Sequence, residues 1–380
     1  MRSNWQKVKL GQITENLDNK RVPISKEKRA KGDIPYYGAT GIVDYVNDFI
    51  FNEPLLLIGE DGADWSKFAD TAYSVDDKSW VNNHAHVLRC SGVDRTFLKE
   101  YLNFEDLNNF ITGGTRGKLT KGVLSDIPIP LAPLRIQQKI AAILSSIDEE
   151  IQKTDQIIQK SEELKNGLMN ELLTKGVSHK KFKKTKFGEI PSDWELFAMQ
   201  DICKVRQGLQ IAIRDRRQES GENRFLYLTN QYLKNFDKPE YIDNPPKSVI
   251  CKEDDVLMTR TGNTGVLVTD VNGVFHNNFF LIDFDRSRVN KRFLVYFLQN
   301  NMIQKMILDR AGSTTIPDLK HGDFYSLPFI CPSLSEQSQI SEMIRSIDDK
   351  MSYERKQLIF LINLKNGLMQ DIFSQKVQVA

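Results

Sequence analysis

Residues 131–151 read LAPLRIQQKIAAILSSIDEEI, and residues 331–351 read CPSLSEQSQISEMIRSIDDKM. The two segments align without a gap, and the alignment continues to the hexapeptide LKNGLM, which occurs at 164–169 and again 200 residues later at 364–369. Six consecutive identities inside a longer ungapped match are hard to obtain by chance. The sequence therefore predicts an internal duplication.

Each copy of the repeated segment is predicted to form a long helix, because its apolar residues recur at alternating spacings of three and four. A first helix from about Leu134 to Lys175 would be roughly 60 Å long at about 1.5 Å per residue. Ser333 and Glu336 have the spacing of a capping box at the start of the second. Two such stripes can satisfy each other as an intramolecular antiparallel coiled coil, and two ordinary core helices are the alternative.

A glycine lies inside each predicted helix, at Gly167 and Gly367. A glycine there costs about 1 kcal/mol relative to alanine. Close approach of the two helices would explain its presence. Inheritance through the duplication is an equally simple explanation.

The regions between the repeats differ almost completely in sequence, yet a few short segments of similar sequence occur in both. LLLIGEDG at 55–62 resembles VLMTRTG at 256–262, and the Asn-Asn pair at 82–83 recurs at 277–278. Short apolar runs separated by Gly, Asn and Asp predict mixed α/β domains. The expected order is a globular domain at 1–132, a helix at 133–176, a second globular domain at 177–332 and a helix at 333–380.

The net charge, the apolar runs and the cysteines of the chain limit the classes of protein to which it can belong. The chain has 380 residues and a net charge of only +2, so any nucleic-acid-binding signal must be local. No apolar run approaches the roughly 18 residues of a membrane span, and the start MRSNWQKVKL does not resemble a signal peptide, so we expect a cytoplasmic protein. The four cysteines are scattered singly, which favours reduced structural thiols.

Each motif that suggests catalysis lacks a residue or a spacing that the chemistry requires. DNPPK at 243–247 lacks the aromatic ring on which a methyltransferase stacks a flipped base, and GGTRGKL at 113–119 lacks the spacing and the Ser/Thr of a nucleotide loop. Asp348-x-Lys350 falls on the second helix without another motif carboxylate. His84 and His86 would share one strand face, but no third ligand accompanies them. We therefore expect no catalytic site, no metal and no cofactor in this chain.

The order of motifs resembles that of the DNA specificity subunits of Type I restriction–modification systems. The resemblance rests on IPYYGATGIVDYVNDFIF, LLLIGEDGADW and WVNNHAHVL in the first half, and on FGEIPSDWELFAMQDICKVRQG, VLMTRTGNTGVLV and PSLSEQSQISEMIRSID in the second. It covers nearly the whole chain. One departure is RIQQ at 135–138, where the family commonly has a sequence like the SEQ at 335–337.

The resemblance implies a non-enzymatic subunit with two target-recognition domains that read an asymmetric, bipartite DNA sequence, while the helices set the spacing. It also implies partners: two modification subunits that methylate adenine with S-adenosylmethionine, and restriction subunits that use ATP and magnesium. A stand-alone two-site DNA-binding regulator and a coiled-coil interaction protein that binds no DNA are the alternatives.

Candidate DNA contacts are polar groups on predicted loops, since arginine, glutamine and asparagine can pair with base edges while hydroxyls and lysines suit phosphates. For each of them a surface or turn role is the alternative. In the first domain they are Lys20, Arg21, Tyr36, Tyr37, Asn82, Asn83, His84, Arg116, Lys118 and Lys121. In the second they are Arg206, Gln207, Gln210, Arg260, Asn263, Asn277, Asn278, Ser313, Thr314, Thr315, Lys320 and His321.

Overall fold

The computed structural model describes residues 5–113, 117–312, 317–377 and 379, except for the side chain of residue 235. The chain forms two compact units, one made of Met1–Ile157 with Glu354–Ala380 and the other of Ile158–Tyr353. Both long helices therefore contribute one part to each unit. No helix within the described ranges has the length and apolar character needed to cross a membrane.

In its described residues, the first unit contains short strands, three short α-helices, the start of one long helix and the end of another. Its strands are β1 (Gln6–Lys9), β2 (Thr14–Asn16), β3 (Ile34–Gly38), β4 (Gly41–Val46), β5 (Phe51–Asn52), β6 (Leu55–Gly59), β7 (Ala72–Val75), β8 (Lys78–Val81), β9 (Ala85–Cys90) and β10 (Pro128–Leu131). Its helices are α1 (Leu10–Ile13), α2 (Arg95–Phe104), α3 (Lys121–Asp126) and α4 (Leu134–Lys175), which continues into the second unit.

The second unit has the same kinds of element. Its strands are β11 (Phe182–Thr185), β12 (Gly188–Pro191), β13 (Glu195–Ala198), β14 (Cys203–Gln207), β15 (Arg216–Arg217), β16 (Arg224–Leu228), β17 (Tyr241–Asp243), β18 (Ile250–Cys251), β19 (Val256–Thr259), β20 (Leu267–Thr269), β21 (Gly273–Phe275), β22 (Phe279–Phe284) and β23 (Pro328–Cys331). Its helices are α5 (Asn230–Asn235), α6 (Lys291–Gln299), α7 (Asn301–Ala311), α8 (His321–Tyr325) and α9 (Leu334–Phe373), which continues into the first unit.

The sheets of the two units have matching topology, apart from an additional edge strand, β15, in the second unit. The first unit has sheets of order β2-β9-β6-β7 and β4-β3-β8-β5, and the second has β14-β22-β19-β20 and β15-β17-β16-β21-β18. In the sheet named second for each unit, one inner pair of strands is parallel: β3 with β8 in the first unit, and β16 with β21 in the second. The pair β1–β10 corresponds to β13–β23. The duplication therefore includes the globular domains, although their sequences have diverged.

Parts of the long helices pack antiparallel to each other within each unit, as predicted. In the first unit Lys365 Nζ lies 2.6 Å from Asp148, and in the second Lys165 Nζ lies 2.6 Å from Asp348. The two ion pairs are related by the 200-residue repeat, and both follow one antiparallel register. Helix α4 has the extent expected from its apolar pattern, Leu134–Lys175.

The apolar stripes of both helices are part of the unit cores. In the first unit Ile140 and Leu144 pack in one cluster with Met369, Ile372 and Phe373. The corresponding cluster of the second unit contains the leucines at 172 and 173 and the isoleucines at 340 and 344. Each globular domain therefore shares its hydrophobic core with the helix pair, so that domain and helices form one body within a unit.

Two glutamines that the repeat places 200 residues apart attach a domain helix to a long helix. The amide oxygen of Gln137 accepts a 2.8 Å hydrogen bond from Asp94 N–H, at the start of α2. Gln337 does the same for Asn290 N–H at the start of α6, also at 2.8 Å. Both glutamines are buried. Each satisfies a backbone donor next to a helix start that would otherwise lie unpaired in the interior.

The structure corrects two details of the helices. A Cβ placed on Gly167 or Gly367 would meet none of the described atoms within 4 Å, so close approach of the helices does not explain these glycines. At the start of α9, Ser333 Oγ accepts from Glu336 N–H at 3.3 Å, as a capping box requires. The Glu336 carboxylate, however, accepts from Trp194 Nε1 at 2.8 Å instead of returning to the cap.

Candidate nucleic-acid interface

A groove in the first unit brings three predicted residues together where β6 ends and β9 begins. Asn82, His84 and Lys118 line it, together with Asp61. Asn82 Oδ1 accepts from His84 N–H at 2.7 Å, which fixes the turn before β9. The His84 ring nitrogen lies 2.5 Å from Asp61. The groove therefore offers donors and acceptors on a preformed wall, as a base-reading surface needs.

Lys118 is anchored to this wall by Glu60, a residue that the sequence analysis did not single out as a candidate DNA contact. Lys118 Nζ lies 2.7 Å from Glu60, and the lysine side chain remains 47% exposed. The Glu60 carbonyl also accepts from Leu119 N–H at 2.9 Å. These contacts hold the segment that precedes α3 against the end of β6.

Beneath the groove lies a buried ionic network. His86 has one ring nitrogen 2.6 Å from Asp18 and the other 2.6 Å from the Leu119 carbonyl. Arg21 Nη1 lies 2.5 Å from Glu60 and 2.8 Å from the carbonyl of residue 85. Arg21 is thus a support of the network, since its side chain is largely withdrawn from solvent.

The charges of this network keep its carboxyl groups ionised. Burial raises the pKa of Asp18, but its hydrogen bonds with His86 and with a backbone N–H outweigh burial, so the pKa lies below the ordinary value. Burial likewise raises the pKa of Glu60, and the hydrogen bonds from Lys118 and Arg21 bring it below the ordinary value. Ligand atoms of Asp18, Glu60 and His86 lie within 4.8 Å of one another, a spacing that a metal could use. Because Arg21 already provides the positive charge there, the arrangement fits an ion-pair network better than a metal site.

The second unit has the same anchor with its charges exchanged. Arg260, which replaces Glu60 after 200 residues, has its guanidinium 2.7 Å from Asp318, which replaces Lys118. The Arg260 carbonyl accepts from Leu319 N–H at 2.9 Å, as the Glu60 carbonyl does from Leu119. Equivalent positions in the two units therefore present opposite charges.

Polar candidates also gather between β14 and the turn before β22. Gln207 Nε2 donates to the Asn277 carbonyl at 3.1 Å. Asn277 Nδ2 lies 3.4 Å from the amide oxygen of Gln210, which is exposed. Arg206 precedes Gln207 on β14 and donates to the Ser248 carbonyl at 3.1 Å. The Gln210 side chain is the most accessible of the four.

The remaining candidates differ in accessibility. Tyr36 is only 1% exposed, and its hydroxyl bonds to the backbone of Ile24. Tyr37 is half-buried and its ring stacks on Tyr73. Six others have partly or fully exposed side chains: Lys20, Asn83, Lys121, Asn263, Asn278 and Lys320.

Five candidates remain. The His321 ring packs 4.7 Å from that of Phe280, which occupies the strand position of His86 in the second unit. Four others, Arg116, Ser313, Thr314 and Thr315, lie outside the described residues.

These features define a class of protein. Its two domains have one topology but carry unlike polar groups at equivalent positions, and each domain shares its core with the same pair of helices. Comparison with known proteins identifies the family. Residues 2–163 and 191–362 match the family model described as Type I restriction modification DNA specificity domain. The chain belongs to this family, and it contains the domain twice.

Named relatives agree with this assignment. The chain is 23% identical over 411 residues to the Type I restriction enzyme MjaVIII specificity subunit of Methanocaldococcus jannaschii, covering 99% of this chain and 93% of that protein. It is 29% identical over 346 residues to a putative type I restriction enzyme specificity subunit of Haemophilus influenzae, covering 88% and 85%.

A solved structure supports the fold. The Type-I restriction-modification system S subunit from M. genitalium superimposes with a TM-score of 0.65 at 15% identity, over 100% of this chain and 97% of that one. The mixed α/β fold with two sheet-rich domains and long helices is thus confirmed. The family assignment also confirms that the chain is a specificity subunit and not itself an enzyme.

Proposed function

We propose that this subunit reads an asymmetric, bipartite DNA sequence, each domain recognising one half. The observation that carries the proposal is the charge exchange at equivalent positions: Glu60 with Lys118 in one domain, Arg260 with Asp318 in the other. The exposed members of the two pairs, Lys118 and Asp318, carry opposite charges on one scaffold, so the two domains present different hydrogen-bonding groups to a DNA groove. An asymmetric target follows, because a symmetric one would need like surfaces.

In this proposal the chain recognises the DNA sequence, and its partner subunits catalyse the reactions. Two modification subunits would methylate adenine within the target with S-adenosylmethionine, and restriction subunits with ATP and magnesium would join them. The exposed and half-exposed groups His84, Lys118, Gln210 and Asn263 are the proposed DNA contacts of highest priority, since they can reach a duplex without unfolding. Tyr36 and Arg21 are assigned to support instead.

The proposal extends to the spacing of the two half-sites, which we assign to the helix pair. The 42-residue helix α4 belongs to both units, and its partner α9 runs antiparallel to it within each. A longer pair would lengthen the unread spacer, because each domain shares its core with the helices.

Insertion of one heptad in each helix tests the spacing. The antiparallel register that joins Asp148 with Lys365 places Gln156 opposite Gln357, so paired insertions at these two positions keep the apolar stripes matched. Seven residues add about 10 Å of helix and nearly restore its facial phase. The methylated motif should keep both half-sites and gain about three base pairs of spacer, at about 3.4 Å per pair.

A two-residue insertion at Gln156 is the control, since it rotates the following stripe by about 200° and should disrupt the pair. Sequencing of methylated genomic DNA measures the spacer. A folded and active paired variant that keeps the original spacer would contradict the assignment.

A further inference from the structure

A six-residue turn in the first unit is fixed by a tyrosine and an arginine. Tyr36 Oη accepts from Ile24 N–H at 3.0 Å, while Arg29 Nε donates to the Ile24 carbonyl at 3.1 Å. The Arg29 guanidinium lies 4.4 Å from the centre of the Tyr36 ring and donates to Asp44 at 2.9 Å. Residues 24–29 are called here the first clamped turn.

The second unit builds the same turn from a different sequence. Tyr227 Oη accepts from Ile211 N–H at 3.0 Å, and Arg216 Nε donates to the Ile211 carbonyl at 3.1 Å. The Arg216 guanidinium lies 5.1 Å from the Tyr227 ring centre and donates to Glu240 at 2.8 Å. Residues 211–216 are the second clamped turn.

The two turns share a scaffold but not a tip. Each has four residues between its isoleucine and its arginine, SKEK in the first and AIRD in the second. Each tip forms one short 3-10 turn, Lys26–Lys28 and Ile213–Asp215. The anchors have therefore persisted while the tip residues diverged, the pattern expected where one backbone geometry serves two different recognition tasks.

The second tip is exposed in a way that folding does not explain. Ile213 is 78% exposed, and the Arg214 side chain is 88% exposed with its Nε 3.8 Å from the Asp215 carboxylate. An exposed isoleucine leaves apolar area in water, so the tip gains free energy when a partner covers it. Apolar side chains contact thymine methyl groups or wedge between base steps, and arginine pairs with guanine edges.

The second clamped turn also lies next to a polar group proposed above as a DNA contact. Gln210 immediately precedes the second clamped turn, and the Leu209 carbonyl accepts from the Tyr227 hydroxyl at 2.8 Å. A tip fixed by four contacts loses little conformational entropy on binding, which favours its use in recognition.

We infer that the clamped turns are DNA-contacting elements of the two domains, and that the Ile213–Arg214 tip reads bases in the second half-site. The first tip presents Lys26 and Lys28, which suit phosphates and guanine edges. The inference rests on the proposed function, because it names the element that carries part of the reading.

The test combines a tip variant with methylation mapping in cells that carry the partner subunits. Ile213→Ala with Arg214→Ala should relax one or two positions of the second half-site, with about a 10-fold loss of preference at each, and should leave the first half-site intact. The matched control is Lys305→Ala with Leu308→Ala, an exposed basic and aliphatic pair on α7 of the same unit, which should leave the motif unchanged.

The outcomes separate this inference from the proposed function. An unchanged motif in the tip variant, or a uniform loss of methylation with the same motif, would overturn base reading by the tip. A wild-type chain that directs no bipartite motif would instead refute the proposed function. Far-UV circular dichroism of the purified variants establishes that the exposed substitutions leave the fold intact.

Discussion

Glu100 is the residue whose replacement tests most sharply how a recognition domain is joined to the helices. It is fully buried in α2, and its carboxylate lies 2.9 Å from Lys365 Nζ on α9 and 2.6 Å from Lys99 Nζ. Burial lowers the pKa of Lys365, but the negative charges of Glu100 and Asp148 outweigh burial and raise it above the ordinary value. The lysine is therefore charged in the interior and depends on its carboxylates.

Glu100→Gln keeps the shape of the side chain and removes its charge. Loss of one partner of a buried pair costs about 3 to 5 kcal/mol. Because Asp148 still lies 2.6 Å from Lys365, we expect the lower end, about 3 kcal/mol. Adding Lys365→Met removes the uncompensated charge, so the double variant should lose less than the sum of the single ones, by about 1 to 2 kcal/mol.

Hydrogen exchange followed by mass spectrometry measures this for each unit separately, since it resolves the opening free energy of α2 from that of α6. The matched control is Tyr296→Phe, which removes the 2.8 Å bond to Asp348 in the second unit and should cost about 1 kcal/mol there. A Glu100→Gln effect below about 1 kcal/mol, or strict additivity in the double variant, would refute the ion-pair account.

Further predictions concern two glycines and acid stability. Gly167→Ala should stabilise by about 0.5 to 1 kcal/mol in urea unfolding, since the added Cβ meets no described atom, and a loss would contradict open space there. Gly176→Ala should destabilise, because Gly176 has φ +67° and a Cβ would lie 2.6 Å from Trp194; an unchanged urea midpoint would contradict this. Asp18 and Glu60 have depressed pKa values, so their stabilisation is present above the ordinary carboxyl pKa near 4 and is lost as pH falls through the folded-state values. The first unit should therefore lose protection in hydrogen exchange below about pH 4, an effect that Asp18→Asn should reduce; equal pH profiles for wild type and variant would argue against it.

The repeat made the helices predictable because a buried helix stripe leaves a regular apolar period. The same offset already pointed to Glu60, since the LLLIGEDG and VLMTRTG segments place it opposite Arg260. A partner 58 residues away, Lys118, is set by tertiary packing and leaves no local pattern. The capping-box spacing at Glu336 misled for the same reason, because Trp194 competes for its carboxylate from a distant segment.

The clamped turns show a different limit of sequence reasoning. The isoleucine and the arginine have the same spacing in both clamps, but Tyr36 follows Arg29 by seven positions and Tyr227 follows Arg216 by eleven, so no fixed spacing connects the arginine with its tyrosine. Only the shared backbone geometry shows that they are equivalent. Tyr36 was predicted as a DNA contact from its residue type, whereas its burial suits the role of an anchor.

Exchange of one recognition domain shows directly whether the two domains read DNA independently. Residues 1–132 would be replaced by the equivalent domain of a relative with a known motif, and methylated sites mapped in cells that carry the modification partner. One half-site should change to that of the donor, while the other half-site and the spacer stay as they were. If both half-sites changed together, or neither changed in a folded and active chimaera, the two domains would not be independent readers of DNA.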